Sequence, residues 1–468
     1  MRIPVPDVVP GPDALGRVHL IGIGGAGLSA IARLLAQQGV VVSGSDAADS
    51  AVVRALRAEG IEVHVGHDAA HVADADTVIA STAVREDNPE VVAALQRGIR
   101  LWPRSAGLAA AMTGRRTVAV AGTHGKTTTT AMLTCALLAA GAEPSFAIGA
   151  EVESLGTNAA IGAGQVMVAE ADESDGAFLE YAPAIALVTN VDADHLDTWG
   201  TEEAYAAAFE RFVATVEEAV VLGADDPGAA RLAEVAREGG LRVVTTGVEA
   251  EDADLRARDV QVRDGRTTFV LERSGHDPVA VQLAVPGLHY AQDALLALGA
   301  GLLLGHELDA LVRGLAAYAG ARRRMERLGE RAGVRVYDSY AHHPTEIRAD
   351  LAAARSLAGE GRLVVVFQPH LVSRTRQYGT RMGEELSAAD LVVLADLYLA
   401  REDPDPAVTS ALVADAVRGT PATLGGPVAT VHEHVLDVVR PGDLVLTLGA
   451  GDVTTVGPRL LDALDARA

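Results

Sequence analysis

The residues best suited to chemistry form a turn after an apolar run, and they are Gly122, Thr123, His124, Gly125, Lys126, Thr127 and Thr128. The apolar run extends from Thr117 to Ala121, and a helical run from Ala131 to Ala140 follows the turn. Backbone N–H groups of such a glycine turn, together with the positive end of a helix dipole, point at phosphate oxygens. The lysine adds a mobile charge, and the first threonine hydroxyl can ligate Mg²⁺. The pattern is therefore typical of a nucleoside-triphosphate site.

The use of lysine supports this interpretation. Lys126 is the only lysine among 468 residues, and every other basic side chain of the Lys/Arg pair is arginine. The planar guanidinium of arginine does not replace a compact ammonium in a phosphate loop. The alternative, a surface lysine that lies beside a glycine turn by chance, does not explain why the one lysine stands here.

Two acidic segments follow neighbouring predicted strands. The run 170–175 (Glu-Ala-Asp-Glu-Ser-Asp) comes directly after an apolar strand, and the run 192–197 contains His195 among three aspartates. Mg²⁺ takes one or two carboxylates besides phosphate oxygens and water. The first run is therefore predicted to hold Mg²⁺, with a solvated acidic loop as the alternative. His195 is predicted either to ligate a second cation or to orient the γ-phosphate, the alternative being a purely structural histidine.

A second glycine turn lies near the N-terminus, between a predicted strand (17–23) and a predicted helix (28–38), and its glycines are Gly22, Gly24, Gly25 and Gly27. Asp46 follows about twenty residues later, where an acidic residue can meet a ribose or a base. The pattern indicates a Rossmann-like nucleotide site. A tight packing turn without a ligand is the alternative.

Polar side chains also follow two predicted strands near the C-terminus. Asp338, Tyr340 and His342 come after the first of these strands, and Arg374 comes after the second. We expect them to face the nucleotide domain across a cleft. Two further residues are equally compatible with a site role and with a surface or capping role, namely His343 and Arg376.

Composition limits the class of protein. The 39 basic and 63 acidic residues give a net charge of −24, which argues against a nucleic-acid or anionic-membrane surface. The longest apolar stretch, residues 294–304, is too short to span a bilayer, and the N-terminus lacks the pattern of a signal peptide. We therefore expect a cytoplasmic protein. Cys135 is the only cysteine and is predicted to pack as a small hydrophobic residue.

Alternating strands and helices predict an α/β protein of three consecutive domains. We expect a Rossmann-like domain over residues 1–113, a central mononucleotide-binding domain of the P-loop ATPase type over 114–318, and a Rossmann-like C-terminal domain over 319–468. In this arrangement the acidic runs and the phosphate loop share the carboxyl edge of one parallel sheet.

With these motifs the chain resembles the Mur ligase family over essentially its whole length. The matching segments are 22–27, 44–46, 121–127, 170–175, 338–346 and 367–370. The Asp-Glu-Ser-Asp form of the acidic run resembles the family members that use L-alanine. The resemblance implies ATP-dependent ligation of L-alanine to UDP-N-acetylmuramic acid in peptidoglycan precursor synthesis. The carboxylate would be phosphorylated, and the amine would then attack the acyl phosphate to give an amide, ADP and phosphate.

The resemblance also assigns roles to residues. It implies that the first domain binds the UDP-sugar through Gly22, Gly24, Gly25, Gly27, Asp46, His67 and Ser81. It implies that ATP is bound by the phosphate loop together with Asp293, Arg324 and Asp338. The implied amino-acid ligands are Tyr340, His342 and Arg374. The implied ligands of Mg²⁺, for which Mn²⁺ can substitute, are Thr127, Glu173 and His195. The implied catalytic residues are Lys126, Glu173, His195, His342 and Arg374. We expect the C-terminal domain to close over ATP and the amino acid, in a monomer or a homodimer.

Four positions depart from the family pattern, and they are Tyr290, Asp293, Met325 and Ser339. The family usually carries asparagines at the first two positions, phenylalanine at the third and a second aspartate at the fourth. Because all four fall around the expected adenine and ribose, they concern base selectivity and ATP affinity. They leave two alternatives open: a paralogue that ligates a different amine or nucleotide-sugar acid, and a non-catalytic nucleotide-binding relative.

Overall fold

The computed structural model describes residues 3–6, 8–81, 84–400 and 402–467, with the backbone alone of Asp197. The chain forms two compact units. The first comprises Met1–Arg258, Leu271–Val279 and Gln292–Tyr318. The second comprises Asp259–Val270, Ala280–Ala291 and Ala319–Ala468.

The first unit begins with a parallel sheet that has the order β3-β2-β1-β4-β5 in the described residues. Its strands are β1 (Val18–Ile21), β2 (Val42–Asp46), β3 (Glu62–Val65), β4 (Thr77–Ala80) and β5 (Arg100–Pro103). Its helices are α1 (Ala26–Gln37), α2 (Ala51–Ala58), α3 (Pro89–Arg97) and α4 (Arg104–Met112). β1 is the central strand of this sheet, and the glycine turn follows its last residue. The turn therefore lies at the carboxyl edge of the sheet, where α/β proteins bind ligands.

The second sheet of this unit carries the phosphate loop. Its order from one edge is β12-β11-β10-β6-β9-β7-β8, and a meander of three strands continues beyond β12. The strands are β6 (Arg116–Ala121), β7 (Ser145–Val152), β8 (Thr157–Ala160), β9 (Val166–Glu170), β10 (Ile185–Val188), β11 (Ala219–Gly223) and β12 (Arg242–Gly247). The meander is β13 (Leu255–Arg263), β14 (Arg266–Arg273) and β15 (Val279–Leu283). Within the meander and the first residues of the helix that follows it, Asp259–Val270 and Ala280–Ala291 belong to the second unit. The helices are α5 (Lys126–Ala139), α6 (Leu196–Trp199), α7 (Glu202–Val213), α8 (Pro227–Glu238), α9 (Leu288–Leu303) and α10 (Leu308–Ala316).

The third sheet lies in the second unit and has the order β16-β17-β21-β18-β19-β20. Its strands are β16 (Glu326–Arg331), β17 (Val334–Ser339), β18 (Leu363–Phe367), β19 (Leu391–Ala395), β20 (Ala422–Gly426) and β21 (Leu444–Leu448). The helices are α11 (Pro344–Ala358), α12 (Val372–Leu386), α13 (Ala411–Ala414), α14 (Val428–Val438) and α15 (Val456–Arg467). The strands β18 and β21 are fully buried, as expected for parallel strands covered on both faces.

The predicted α/β fold with parallel sheets is confirmed, with antiparallel strands at the edges. β7 pairs with β8, and β16 with β17, in antiparallel fashion; these pairs were not predicted. In the part of the chain that the structure describes, no helix combines the length and apolarity that a bilayer crossing requires.

One predicted helix boundary was wrong. The helix after the phosphate loop begins at Lys126, five residues before the predicted start at Ala131. Consecutive β-branched threonines have low helix propensity, but the segment is buried from Thr127 onwards. The Thr130 hydroxyl also donates to the carbonyl oxygen of Lys126 at 2.8 Å. Lys126 and Thr127 therefore belong to the first helical turn, where backbone N–H groups remain available to an anion.

Candidate active site

Two glycines of the phosphate loop are required by space as well as by conformation. Gly125 has φ +84°, and a Cβ there would lie 2.5 Å from Oδ1 of Asp293. Gly122 has φ +131°, and a Cβ there would lie 1.9 Å from Oγ1 of Thr189. The loop therefore packs against neighbouring side chains so closely that only glycine fits at either position.

The backbone of Thr123 and His124 is fixed by the end of β10. The N–H of Thr123 donates to the carbonyl oxygen of Asn190 at 3.0 Å, and the N–H of His124 donates to Oδ1 of Asn190 at 2.8 Å. Thr128 is buried in the first turn of α5. The neighbouring Thr129 donates its hydroxyl hydrogen to Oδ1 of Asp293 at 3.0 Å. Asp293 thus anchors the loop helix and lies beside Gly125.

Lys126 is held over the loop by three oxygens. Its Nζ donates to the carbonyl oxygens of Gly122 at 2.6 Å and Thr123 at 2.9 Å, and lies 2.8 Å from Oε2 of Glu173. Burial by itself would lower the pKa of this ammonium, but the negative charges of Glu173, Asp172 and Glu170 raise it above its ordinary value. Lys126 therefore remains charged at neutral pH.

Thr127 contacts Glu170, which belongs to the acidic run predicted to hold Mg²⁺ but is not one of the metal ligands that the family resemblance implies. Its Oγ1 donates to Oε2 of Glu170 at 2.9 Å and lies 3.1 Å from Oε1. The N–H of Gly149 donates to the same Oε2 at 2.7 Å, and a Cβ on Gly149 would lie 2.5 Å from it. A hydroxyl and a carboxylate side by side are oxygen ligands of the kind that Mg²⁺ prefers. Strand register was the missed signal: Glu170 ends β9 opposite Val120 of β6.

Glu173 and His195, both predicted as metal ligands, lie near each other. In the part of the chain that the structure describes, neither forms a hydrogen bond with Thr127. Nε2 of His195 is 3.8 Å from Oε1 of Glu173 and 3.6 Å from Oδ2 of Asp194. His195 has φ +53°, an uncommon conformation for a residue other than glycine. Lys126, Glu173 and His195 therefore form one cluster. The side chain of Asp197 lies outside the described residues.

The N-terminal glycine turn wraps around the end of β2. The N–H groups of Gly22 and Ile23 donate to the carbonyl oxygen of Ser45 at 2.8 Å and 3.0 Å. The N–H of Gly24 donates to Oδ2 of Asp46 at 2.9 Å, and a Cβ on Gly24 would lie 2.8 Å from that oxygen. Gly25 is the N-cap of α1, and Gly27 lies in its first turn. Asp46 therefore fixes the backbone of the glycine turn at Gly24.

A buried carboxylate organises the remaining predicted residues of this domain. Glu90 is fully buried and accepts from Oγ of Ser45 at 2.5 Å. Its carboxylate oxygens lie 3.0 Å from Nδ1 of His67 and 2.7 Å from Nδ1 of His71. Burial would raise the pKa of Glu90, but hydrogen bonds from His19, Ser45, His71 and His67 outweigh it and lower the pKa to about 2. Sequence reasoning found His67 but missed Glu90. Ser81 is half-buried just after β4, near Gly22.

In the second unit, Asp338 is the centre of a buried network. Its carboxylate accepts from the hydroxyls of Thr447 at 2.5 Å and Thr454 at 2.8 Å, and from Nε of Arg323 at 3.2 Å. Arg323 adopts φ +58°. The predicted ATP ligand Asp338 is thus held by three donors of its own unit.

The predicted amino-acid ligands lie in the loops after β17 and β18. The guanidinium carbons of Arg323 and Arg324 lie 4.9 Å and 5.4 Å from the ring centroid of Tyr340, within cation–π range. The rings of His342 and His370 are 5.9 Å apart, and Nη1 of Arg374 lies 3.3 Å from Nδ1 of His370. Tyr340, His342 and Arg374 are therefore linked through aromatic and polar neighbours.

Three of the four departures from the family pattern have internal hydrogen-bond partners, and the partner of Asp293 is the Thr129 hydroxyl described above. The hydroxyl of Tyr290, which is 2 % exposed, donates to the carbonyl oxygen of Arg324 at 3.2 Å. Ser339 donates its hydroxyl hydrogen to the carboxyl group of Asp350 on α11. Burial raises the pKa of Asp350 to about 7. Met325 packs in the core of the unit at 6 % exposure.

Three family models together match most of the chain. They are the Mur ligase catalytic domain at residues 17–116, the Mur ligase middle domain at 120–301 and the Mur ligase glutamate ligase domain at 323–451.

Similar proteins cover the chain from end to end. A UDP-N-acetylmuramate–L-alanine ligase from a Nocardioides species is 59 % identical and covers 99 % of this chain and 100 % of its own length. The ligase of the same name from Thermobifida fusca is 50 % identical, with 97 % of each chain covered. The crystal structure of UDP-N-acetylmuramate-alanine ligase MurC from Thermotoga maritima has a TM-score of 0.82 at 28 % identity, covering 97 % of this chain and 100 % of the other.

Proposed function

Since this chain belongs to the Mur ligase family, we propose that it is an ATP-dependent ligase that joins L-alanine to UDP-N-acetylmuramate in peptidoglycan precursor synthesis. The observation that carries the proposal is the phosphate loop, whose single lysine is held beside the Thr127–Glu170 pair. The substrates follow from the names of relatives that match over the full length.

The reaction needs activation of a carboxylate. The muramyl carboxylate is a poor electrophile, so it attacks the γ-phosphorus of ATP, and the bond to the ADP oxygen breaks. The amine of L-alanine then attacks the acyl carbon, loses a proton, and phosphate leaves with the electrons of the C–O bond. Negative charge grows on phosphoryl oxygens in the first step and on the carbonyl oxygen in the second.

The loop residues fit the first step. Lys126 is charged and is held by two loop carbonyl oxygens and Glu173, and the N–H groups at the start of α5 face the same edge of the sheet as Glu170 and Glu173. We propose that Lys126 stabilises the transferring phosphoryl group. Thr127 and Glu170 would hold Mg²⁺, or Mn²⁺ in its place, and Glu173 would orient Lys126. The cation would neutralise phosphate charge. His195, which lies beside Asp194, would hold a second cation.

Recognition of the other substrates is assigned to separate elements. The N-terminal glycine turn with Asp46, His67 and Ser81 would bind the UDP-sugar. Asp293, Arg324 and Asp338 would bind the adenosine part of ATP. Arg374 would pair with the carboxylate of L-alanine, as a planar guanidinium does, beside Tyr340 and His342. Because ATP and nucleotide sugars are cytoplasmic, we expect the enzyme there, as a monomer or a homodimer.

The alternative of a paralogue with another amine is not favoured, because relatives that share 48–59 % of residues over the whole chain carry one name. The test is phosphate release from ATP and Mg²⁺ with UDP-N-acetylmuramic acid, with and without L-alanine. We expect release that requires both. Release with another amine but not with L-alanine would favour the paralogue, and no release with ATP or GTP would favour a non-catalytic relative.

A further inference from the structure

Arg104, the first residue of α4, contacts the acidic run that surrounds Glu173. Its Nη2 donates to Oδ2 of Asp172 at 2.8 Å and to Oδ2 of Asp175 at 3.2 Å. The side chain of Arg104 is 24 % exposed, and those of Asp172 and Asp175 are 30 % and 18 % exposed. A guanidinium from the N-terminal part of the unit therefore joins two carboxylates of the phosphate-loop part.

The other side of Arg104 touches the N-terminal glycine turn. A Cβ on Gly27 would lie 2.9 Å from Cδ and 3.0 Å from Nη1 of Arg104. The guanidinium thus lies directly against the backbone where the turn becomes α1, a place suited to a phosphate group. A larger residue at position 27 would require the Arg104 side chain to shift.

Both carboxylates also hold the backbone of the acidic run. Oδ1 of Asp172 accepts from the N–H of Ser174 at 2.9 Å, and Oδ1 of Asp175 accepts from the N–H of Ala177 at 3.0 Å. Each carboxylate therefore uses one oxygen for the loop and the other for Arg104. Glu173, whose carboxylate lies beside Lys126, stands between these two anchored residues, and its carbonyl oxygen also accepts from Nε1 of Trp199 at 3.1 Å.

A second connection runs from α1 to Glu170. Asn158 on β8 donates from Nδ2 to the carbonyl oxygen of Ala26 at 3.0 Å, and its Oδ1 accepts from Arg33 at 2.5 Å. β8 pairs with β7, and Gly149 of β7 donates to Glu170. The start of α1 is thus connected to Glu170 through β8 and β7, in addition to its contact with Arg104.

We propose that Arg104 is a positioning residue that couples binding at the N-terminal glycine turn to the geometry of the phosphate loop. The inference rests on the proposed function, which supplies the two nucleotides. A diphosphate at the turn adds negative charge beside Nη1 of the guanidinium, which lies against Gly27, and holds Arg104 in place. The Asp172–Asp175 segment then keeps Glu173 on Lys126, in the arrangement that receives the triphosphate. By reciprocity, a triphosphate on the loop favours the sugar nucleotide to the same extent.

The experiment measures the dissociation constant of a non-hydrolysable ATP analogue with Mg²⁺, with and without saturating UDP-N-acetylmuramic acid. In the wild type we expect the sugar nucleotide to lower this constant by about fivefold or more. In Arg104→Gln we expect the ratio to fall below about twofold, with each ligand still bound on its own. A ratio near one in the wild type, or a wild-type ratio in Arg104→Gln, would overturn the inference.

Two further variants keep the test decisive. Arg104→Lys retains the charge but lacks the fork that reaches both carboxylates, so its ratio should fall between those of the wild type and Arg104→Gln. If Arg104→Gln does not fold, an unchanged ratio in Arg104→Lys overturns the inference. Arg116→Gln removes a surface pair with Glu218 and should leave the ratio unchanged. Alanine-dependent turnover of the same wild-type preparation tests the proposed function separately.

Discussion

Thr127 donates its hydroxyl hydrogen to the Glu170 carboxylate, with Oγ1 lying 2.9 Å from Oε2 and 3.1 Å from Oε1. This bond directs the lone pairs of the hydroxyl away from the carboxylate. Glu173 contacts Lys126 instead, at 2.8 Å. The two glutamates of one short segment thus have different partners, and Glu170 is the one that would join Thr127 in holding a cation.

Replacing these glutamates one at a time separates their roles. Glu170→Gln should raise the Mg²⁺ concentration for half-maximal turnover by about tenfold or more, because a neutral amide is a weaker ligand. Glu173→Gln should lower kcat with little change in that concentration, because it releases Lys126. The measurement is a Mg²⁺ titration of ADP formation. The opposite pattern would restore Glu173 as the ligand.

Lys126→Arg should lower kcat by about 10²–10³-fold, since a planar guanidinium cannot occupy the place of Nζ between two carbonyl oxygens. Binding of UDP-N-acetylmuramic acid, measured by calorimetry, should not change. The control is Arg116→Lys at an exposed ion pair, 39 % and 45 % exposed, which should leave both quantities unchanged. Wild-type turnover in Lys126→Arg would contradict the role of the loop.

Asp350→Asn should alter the pH dependence of stability. Burial raises the pKa of Asp350 to about 7 in the folded protein, against about 4 in the unfolded chain. Between these values the folded state binds more protons, so the free energy of unfolding contributed by this group is greatest at low pH and falls as pH rises through 7. Relative to the wild type, the variant should therefore gain about 1–3 kcal/mol between pH 5 and pH 8.

Urea unfolding at pH 5, 6, 7 and 8 measures this change. Asp465→Asn, at an exposed pair with Arg331, is the matched control and should show a constant difference from the wild type. A constant difference for Asp350→Asn as well would mean that this carboxyl group does not titrate in that range.

Glu90→Gln should raise the KM for UDP-N-acetylmuramate by about tenfold, with the KM for ATP unchanged. A carboxylate accepts hydrogen bonds at both oxygens, whereas an amide offers one acceptor and would oppose one of the imidazoles. His67 and Ser45 would then lose their positions. Steady-state kinetics with each substrate varied provides the test, with Glu62→Gln at the 70 % exposed Glu62 as control. Equal changes in both KM values would indicate general damage instead.

Local patterns predicted much of this molecule and left out what depends on packing. The apolar runs at residues 17–23 and 117–121 are observed as β1 (Val18–Ile21) and β6 (Arg116–Ala121), because continuous apolar runs between polar turns have few other solutions. The cluster of Lys126, Glu173 and His195 was predicted, since parallel strands end at one edge. The run 170–175 was predicted to hold Mg²⁺, but the pairing of Glu170 with Thr127 was not predicted, because whether the last residue of a strand faces a loop depends on register.

Contacts between distant segments were also beyond the sequence. Glu90 lies 45 residues from Ser45 along the chain. No local sequence pattern indicates that Glu90 is the buried acceptor of a histidine cluster. The same holds for Ser339, which stands where the family usually has an aspartate. Its hydroxyl donates to the carboxyl group of Asp350 on α11, a contact that the sequence does not indicate. The start of α5 was misplaced because burial overrides the low helix propensity of threonine.

The packing of α1 against the β7–β8 hairpin limits where this chain can be divided into separate fragments. A fragment that ends at residue 113 would present the buried guanidinium of Arg33, 3 % exposed, and the helix face around it to water. It would also lose Asn158 as a partner for Ala26. We expect such a truncation to aggregate or to need solubilising substitutions. A chimaera between two family members should therefore exchange α1, α4 and the β7–β8 hairpin as one block.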